Sequence, residues 1–567
     1  MVRPSRKRVW NIFFSRRTRG YEVNPDEIFL DSSNLPLLDP GQMEGRVERP
    51  VGFTAILFVG ILFAFAIILF GARAFMLQVV SGATYEEISQ NNRLAQTLVF
   101  ASRGVIYDRT GEELVWNEEG SEEYANRRFS NFSGLSHILG FVRYPRKDVG
   151  GTWWREEIAG ISGAEALFDN ILRGANGRKL VEIDALGETY REHIIEPAIN
   201  GESITLSIDA ELQSKLYEIL SKHARIHGFL GGASVIMDVR TGEIIALVSF
   251  PEFDSQLLSD GDTTALASYT TDVREPFLNR AVSGAYAPGS IVKPIFAAGA
   301  LAEGIISPEK EIESIGYISI PNPYNPPQPT IIRDWRAHGW TDMREAIAVS
   351  SDVYFFSIGG GYAGQEGLGI LRLDEYAQLF GLGKDTGSPF LGEVTGTVPT
   401  PEWKARMFEG DEWRIGDTYN TSIGQYGFQV TPLQMARVSA VFANGGWLLT
   451  PHILKTQKVD KEFVAIDEGV LKVVRDGMRL AVTSANGTAQ SLAIAGLPIA
   501  GKTGTAEVGA GNRLMHSWVI GFWPADNPQY AFATVLERAP AGTLAGAAPA
   551  MRSFFEWMIN EKAEYVE

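Results

Sequence analysis

An uncharged run of 22 residues, Val51 to Ala72, constrains this chain more than any other feature: VGFTAILFVGILFAFAIILFGA. A hydrocarbon layer of about 30 Å needs about 20 apolar residues as helix, so the run is long enough to span a bilayer. A cleaved signal peptide is the competing reading. Its apolar region is shorter, roughly 7–15 residues, lies nearer the N-terminus and ends at a small-residue cleavage site. Here the next residues are Arg73-Ala-Phe-Met-Leu-Gln, which offer no such site. A buried core helix is disfavoured by the length and by the lack of a polar face. Residues 51–72 therefore read as a single transmembrane helix.

Charge orients it. The first twenty residues hold Arg3, Arg6, Lys7, Arg8, Arg16, Arg17 and Arg19 and no acid, whereas the whole chain carries a net charge of −17. Basic residues flanking a span stay on the cytoplasmic side. The N-terminus is thus expected in the cytoplasm and everything after Arg73 outside the cytoplasmic membrane. Residues 21–50, with Pro25, Pro36, Pro40 and Pro50, read as the rest of an extended tail. The acidic remainder argues against nucleic acid as a partner, because a phosphate binder needs a basic face. The chain has no cysteine, which excludes disulfides, thiol nucleophiles and cysteine-ligated zinc. At 567 residues, with 45% hydrophobic and 21% charged residues, it is expected to fold as two or three globular units.

Ser102 to Gly111 reads as a short strand closed by a turn at Thr110-Gly111, and residues 112–200 mix short helical patterns with glycine-rich breaks. A sharper unit starts near Ser203. Ser-Ile-Thr-Leu-Ser-Ile alternates with period two, and Asp209 is placed to cap a helix through Leu212 and Leu216. A β-hairpin follows, from Ala233-Ser-Val-Ile-Met-Asp-Val through Arg240-Thr-Gly242 to Ile244-Ile-Ala-Leu-Val. Strands return near Ser517–Trp523 and Tyr530–Val535. The fold class is α+β, an antiparallel sheet covered by helices.

Three short motifs carry chemistry. The first is Ser290-Ile-Val-Lys293, ahead of a helix-compatible run starting at Pro294. The i, i+3 spacing puts the serine and lysine on one helical face, and a helix N-terminus favours a developing negative charge. A serine hydroxyl becomes a nucleophile only when a base takes its proton, and a lysine serves only if its surroundings favour the free amine. About two S-x-x-K pairs are expected by chance in a chain of this length. Ser307-Pro-Glu-Lys310 is another, in a polar, proline-interrupted context. The most specific motif is Ala500-Gly-Lys502-Thr503-Gly504-Thr505-Ala, a strand-like segment whose glycines allow close backbone approach. Its lysine and hydroxyls suit a carboxylate.

In this order the motifs resemble those of the penicillin-recognising serine enzymes, S-x-x-K, then S-x-N, then K-T-G. Asn279-Arg-Ala, Tyr286-Ala-Pro-Gly-Ser290, Gly424-Gln with Thr431-Pro-Leu-Gln434, and His516-Ser-Trp-Val-Ile-Gly-Phe522 resemble the transpeptidase domain of class B penicillin-binding proteins. Arg103-Gly-Val-Ile-Tyr-Asp-Arg and Gly160-Ile-Ser-Gly-Ala-Glu165 resemble their non-catalytic pedestal, and the elongation-type branch is the nearest likeness. The middle motif departs. Ser484-Ala-Asn486 matches by letter but lies only 18 residues before Lys502. Ser350-Ser351-Asp352, 60 residues after Ser290, sits in a buried-helix context and is the better match. Aspartate here replaces asparagine. An ionised carboxylate only accepts hydrogen bonds, and near Lys293 it favours the lysine's charged form while Lys502 opposes it.

The resemblance implies peptidoglycan D,D-transpeptidation. Ser290 attacks the penultimate carbonyl of a stem peptide ending in D-Ala-D-Ala, Lys293 accepts the proton, and Ser350 relays one to the departing D-alanine. The backbone N–H groups of Ser290 and Thr505 form the oxyanion hole, Lys502, Thr503, Gly504 and Thr505 hold the terminal carboxylate, and Asp352 occupies the substrate-contacting position of asparagine. No metal or organic cofactor is implied. β-Lactams are expected to acylate Ser290. The implied division is a tail (1–50), a transmembrane helix (51–72), a pedestal of dimerisation-domain type (73–202) and a transpeptidase domain (203–562). Residues 73–200 are too short for a glycosyltransferase, so a partner must supply chain polymerisation. By analogy that partner is a polytopic glycosyltransferase of the shape, elongation, division and sporulation family. Three other readings compete: a serine β-lactamase, a β-lactam sensor, and a structural subunit with a weakened site, the last kept open by Asp352.

Overall fold

The computed structural model describes residues 51–566 except 92–93, 121–122, 184–188, 323–326 and 456. The basic tail expected over 1–50 lies outside the described residues. The chain divides into two units, 1–92 and 93–567. In the first, Phe53–Phe75 is an α-helix that buries none of its residues. A π turn, Met76–Val80, continues it to a 28-residue segment long and apolar enough to cross a membrane. The helix starts two residues after Val51 and runs past Ala72, because Arg73 fits its last turn, where a cation meets the negative end of the helix dipole.

In the second unit, strands Leu94–Val99, Gly177–Ile183 and Thr189–Glu196 form an antiparallel sheet with Gly177–Ile183 at its centre. A four-stranded sheet has the order Ile204–Thr205, Ile106–Tyr107, Glu113–Glu118, Asn126–Phe129. The Ile106–Tyr107 strand and its turn fall where the residues placed them. The alternating stretch after Ser203 behaves differently. Only Ile204–Thr205 is strand, and it pairs in parallel with Ile106–Tyr107 instead of opening the larger sheet. Alternation marks a half-buried strand but does not name its neighbour.

A buried ion network joins the two pedestal-like motifs. The Arg103 Nε donates to Glu165 Oε2 at 2.5 Å, and the Arg127 Nε donates to Glu165 Oε1 at 2.7 Å. Arg103 also donates to the carbonyls of Ile158 and Glu165, and Arg127 to that of Gly104. All three charged side chains are inaccessible to solvent. Charges this deep are tolerated only when paired and fully hydrogen-bonded.

The rest is built on a five-stranded antiparallel sheet: β1 (Gly231–Asp238), β2 (Ile244–Phe250), β3 (Ala500–Val508), β4 (Leu514–Trp523) and β5 (Tyr530–Pro540). Their order is β2-β1-β5-β4-β3. Alternate residues feed opposite cores. Val235, Met237, Ile520 and Phe522 join one, with Phe296, Val438 and Phe442 of the helices Lys293–Ala302 and Pro432–Ala443. Ile236, Val519 and Trp523 join the other, with Leu216 of Ala210–His227 and Phe555 of Ala547–Glu561. Both faces are covered, so β1 and β2 are buried throughout and read as continuous apolar runs. This is the expected helix-covered antiparallel sheet. Asp209 caps Ala210–His227 by accepting from the Leu212 N–H, and the hairpin turns at Arg240–Gly242. The strands near the C-terminus are longer than their apolar cores suggested.

Replacing Glu165 by alanine leaves Arg103 and Arg127 as uncompensated buried cations. Such a break costs about 3–5 kcal/mol. A Glu165→Ala variant of the full chain in detergent should therefore show a clearly lowered thermal transition, and an unchanged transition would refute the structural weight given to this network.

Candidate active site

Ser290 lies in a single 3₁₀ turn, Gly289–Val292, that leads directly into the helix Lys293–Ala302, with Pro294 in its first turn. Proline is tolerated there because the first N–H groups of a helix have no intrahelical partner. The serine thus precedes the α-helix and does not lie on its face, while Lys293 opens the helix, fully buried.

The middle motif is a helix break. The helix Met343–Val349 ends at Ser350, and a new helix, Asp352–Gly360, starts with Ser351 as its cap, accepting from the Tyr354 N–H. Ser350 has φ +58° and ψ +42°, left-handed backbone that costs a non-glycine residue energy. The apolar run from Ala346 to Phe356 had suggested one buried helix start. It is two helices with a kinked junction, and the junction presents Ser350 and Asp352 to Lys293.

The Lys293 amine donates to the Ser350 carbonyl at 2.8 Å, the Ser350 Oγ at 3.3 Å and the Asp352 Oδ1 at 2.6 Å. None of these bonds goes to Ser290. The third motif forms edge strand β3, where Lys502 is fully buried and donates to the Thr503 carbonyl at 2.9 Å. Thr503 and Thr505 share the outward-facing register of the strand, Thr505 the more exposed, and Gly504 is buried between them. Close backbone contact locks β3, the Ser290 turn and the Gly424 segment together. A Cβ on Gly289, at φ +56°, would lie 2.4 Å from the Thr505 carbonyl oxygen, and one on Gly424 would lie 2.2 Å from that of Gly289. The Gly289 N–H donates to the Gly424 carbonyl.

Electrostatics follow from burial. The Asp352 carboxyl is raised above its ordinary value because desolvation outweighs the attraction of Lys293, with the Asp334 charge adding to the rise. Lys502 is held well below the usual lysine range by burial and then by the charge of Lys293, against the pull of Asp352. Both shifts favour neutral forms, as a low-dielectric site requires.

A model of the penicillin-binding protein transpeptidase domain matches residues 232–556, and one of the penicillin-binding protein dimerisation domain matches 120–206. The chain belongs to the penicillin-binding protein transpeptidase family. It is similar to the peptidoglycan D,D-transpeptidase MrdA of Haemophilus influenzae, 32% identical over 481 residues that cover 78% of this chain and 71% of the relative. The Pseudomonas aeruginosa PBP2 structure in complex with WCK 5153 superposes with a TM-score of 0.69 at 29% identity, over 83% of this chain and all of that one. A structure described as coordinating polymerization and crosslinking in a peptidoglycan synthase complex gives 0.70 at 29% identity, over 91% and 99%.

Three residues at this site escape any reading of motifs. Asp334 accepts through Oδ2 from Ser314 Oγ, Ser351 Oγ and the Val353 N–H, at 3.2, 3.1 and 3.0 Å. Trp335 donates its indole N–H to the Ser350 carbonyl at 3.3 Å. Thr488 bonds Thr503, hydroxyl to hydroxyl at 2.8 Å, and its own N–H donates to the Ala348 carbonyl. The set-aside Ser484-Ala-Asn486 therefore leads into a residue that braces β3, although Asn486 itself is exposed. Ser307 and Lys310 form a turn, joined by a backbone bond.

Burial alone would raise the Asp334 carboxyl, but the His338 imidazole 3.4 Å away, the Val353 N–H and the Lys293 charge bring it down to about 2. A carboxyl depressed on folding stabilises the native state above its unfolded value, and that stability is lost as pH falls through the folded one. Wild type should exceed Asp334→Asn by about 2 kcal/mol near neutral pH from this linkage. In denaturant titrations the gap should shrink as pH drops from 3.8 towards about 2. A gap independent of pH would refute the assignment.

Proposed function

We propose that this chain is a membrane-anchored peptidoglycan D,D-transpeptidase of the elongation type, working through a Ser290 acyl-enzyme and open to acylation by β-lactams. The observation that carries the reading is the meeting of Lys293 with Ser350 and Asp352 behind the Ser290 turn, with β3 closed against that turn. In this reading the Ser290 Oγ bonds to the penultimate D-alanine carbonyl as its proton passes to Lys293. The tetrahedral oxyanion is held by the backbone N–H groups of Ser290 and Thr505, donors fixed before the charge develops. Collapse breaks the peptide C–N bond, and the departing D-alanine takes a proton through Ser350. The amine of a second stem peptide then attacks the ester and returns the proton to Ser290.

Lys502, Thr503, Gly504 and Thr505 form the carboxylate subsite. An arriving carboxylate favours the ammonium form of Lys502, which burial and the Lys293 charge oppose. Asp352 departs from the asparagine pattern. Its carboxyl is raised by burial and accepts from the Lys293 amine, so it holds the lysine where asparagine would hold it through its amide oxygen. The seven bases among the first twenty residues orient the anchor, with the N-terminus cytoplasmic and the catalytic unit outside. The division into tail (1–50), span (51–72), pedestal (73–202) and transpeptidase (203–562) completes this reading. A polytopic glycosyltransferase of the shape, elongation, division and sporulation family is the proposed polymerising partner. Similarity to a chain from a peptidoglycan synthase complex supports that partnership.

The 2.6 Å bond from Lys293 to Asp352 favours one second reading, a structural subunit with a weakened nucleophile. Intact-protein mass spectrometry of the full chain in detergent, incubated with benzylpenicillin beside Ser290→Ala, separates the two. A stable one-to-one adduct on wild type alone is expected. No adduct on folded wild type would favour the structural subunit, and rapid loss of an adduct would point to a hydrolase.

A further inference from the structure

Ser350 faces two donors through one carbonyl. Lys293 approaches it at 2.8 Å and the indole N–H of Trp335 at 3.3 Å. This is the peptide that follows a left-handed residue, in the two-residue junction between two helices, and such a conformation persists only where its surroundings over-determine it. Trp335 belongs to the loop between strands Thr330–Arg333 and Gly339–Thr341. It is 55% exposed and belongs to none of the hydrophobic core clusters. Its ring is nevertheless held. The Arg336 guanidinium stacks on it at 4.5 Å and His338 packs edge-on at 5.1 Å, while the Trp335 backbone N–H donates to Asp334 Oδ1 at 2.8 Å. Asp334, one residue earlier, clasps Ser351 and the Val353 N–H on the other side of the same junction.

We propose that Trp335 is a positioning residue for the transpeptidase reaction, its indole N–H fixing the Ser350 carbonyl and with it the geometry of Ser350 and Lys293. The inference rests on the acyl-transfer reading above. A carbonyl oxygen has two lone pairs, and here each donor takes a share. With the indole donor gone, Lys293 alone holds the Ser350 carbonyl, and the left-handed junction can turn away from the geometry that sets Ser350 Oγ against the lysine amine. Losing the indole N–H therefore lowers the rate.

The test is the acylation rate of the full chain in detergent by a fluorescent penicillin, over a range of penicillin concentrations, for wild type, Trp335→Phe, Trp335→Leu and Ser290→Ala. The side chain is exposed, so both tryptophan variants should keep the wild-type melting transition. A single neutral hydrogen bond predicts a loss of roughly two- to tenfold. Both variants should show it in the limiting acylation rate, with the half-saturating penicillin concentration unchanged. Loss of packing alone would slow Trp335→Leu but not Trp335→Phe, and that result overturns the inference. An active wild type with both variants matching it in limiting rate also overturns it, leaving the transpeptidase reading intact. A wild type that labels no better than Ser290→Ala removes that reading and this inference together.

Discussion

The fully buried amine of Lys293 is the constraint around which the site is arranged. A cation removed from water is costly unless paired and hydrogen-bonded, and here the partners come from a junction about sixty residues away in sequence: a carbonyl and hydroxyl from Ser350 and a carboxylate from Asp352. Supplying all three from adjacent residues needs one helix to end and another to begin between them. The left-handed Ser350 meets that need, and Asp334 and Trp335 brace the junction from outside.

A second constraint is distance between backbones. The Ser290 turn, the Gly424 segment and β3 approach so closely that a single methyl group at Gly289 or Gly424 would overlap a carbonyl oxygen. Placing Lys502 to Thr505 on an edge strand leaves one side of that strand free of a sheet neighbour. The hydroxyls of Thr503 and Thr505 can then face a ligand while Lys502 lies beneath, where burial weakens its charge until an anion arrives.

The segment before the five-stranded sheet solves a comparable problem with Glu165, which binds Arg127 of the strand Asn126–Phe129 and Arg103 of the loop ahead of Ile106–Tyr107. The residues of this network were visible as motifs, but their pairing was not. Likewise Ile204–Thr205 had the alternation of a strand, yet its partner turned out to be Ile106–Tyr107.

The sequence by itself determined what depends on local order. The span follows from an uncharged run as long as a bilayer is thick, the hairpin and capped helix from period and capping chemistry, and the family from three spaced motifs with their flanking residues. Tertiary structure alone decided what depends on residues distant in the chain. It turned Lys293 towards Ser350 and Asp352, split an apparently continuous apolar segment at Ser350, and brought Asp334, Trp335 and Thr488 to the site. Spacing carries no trace of these. A hydrogen bond across a fold is specified by the packing of whole elements, and an aspartate or tryptophan in a loop has the same letter whether it braces a catalytic serine or faces water.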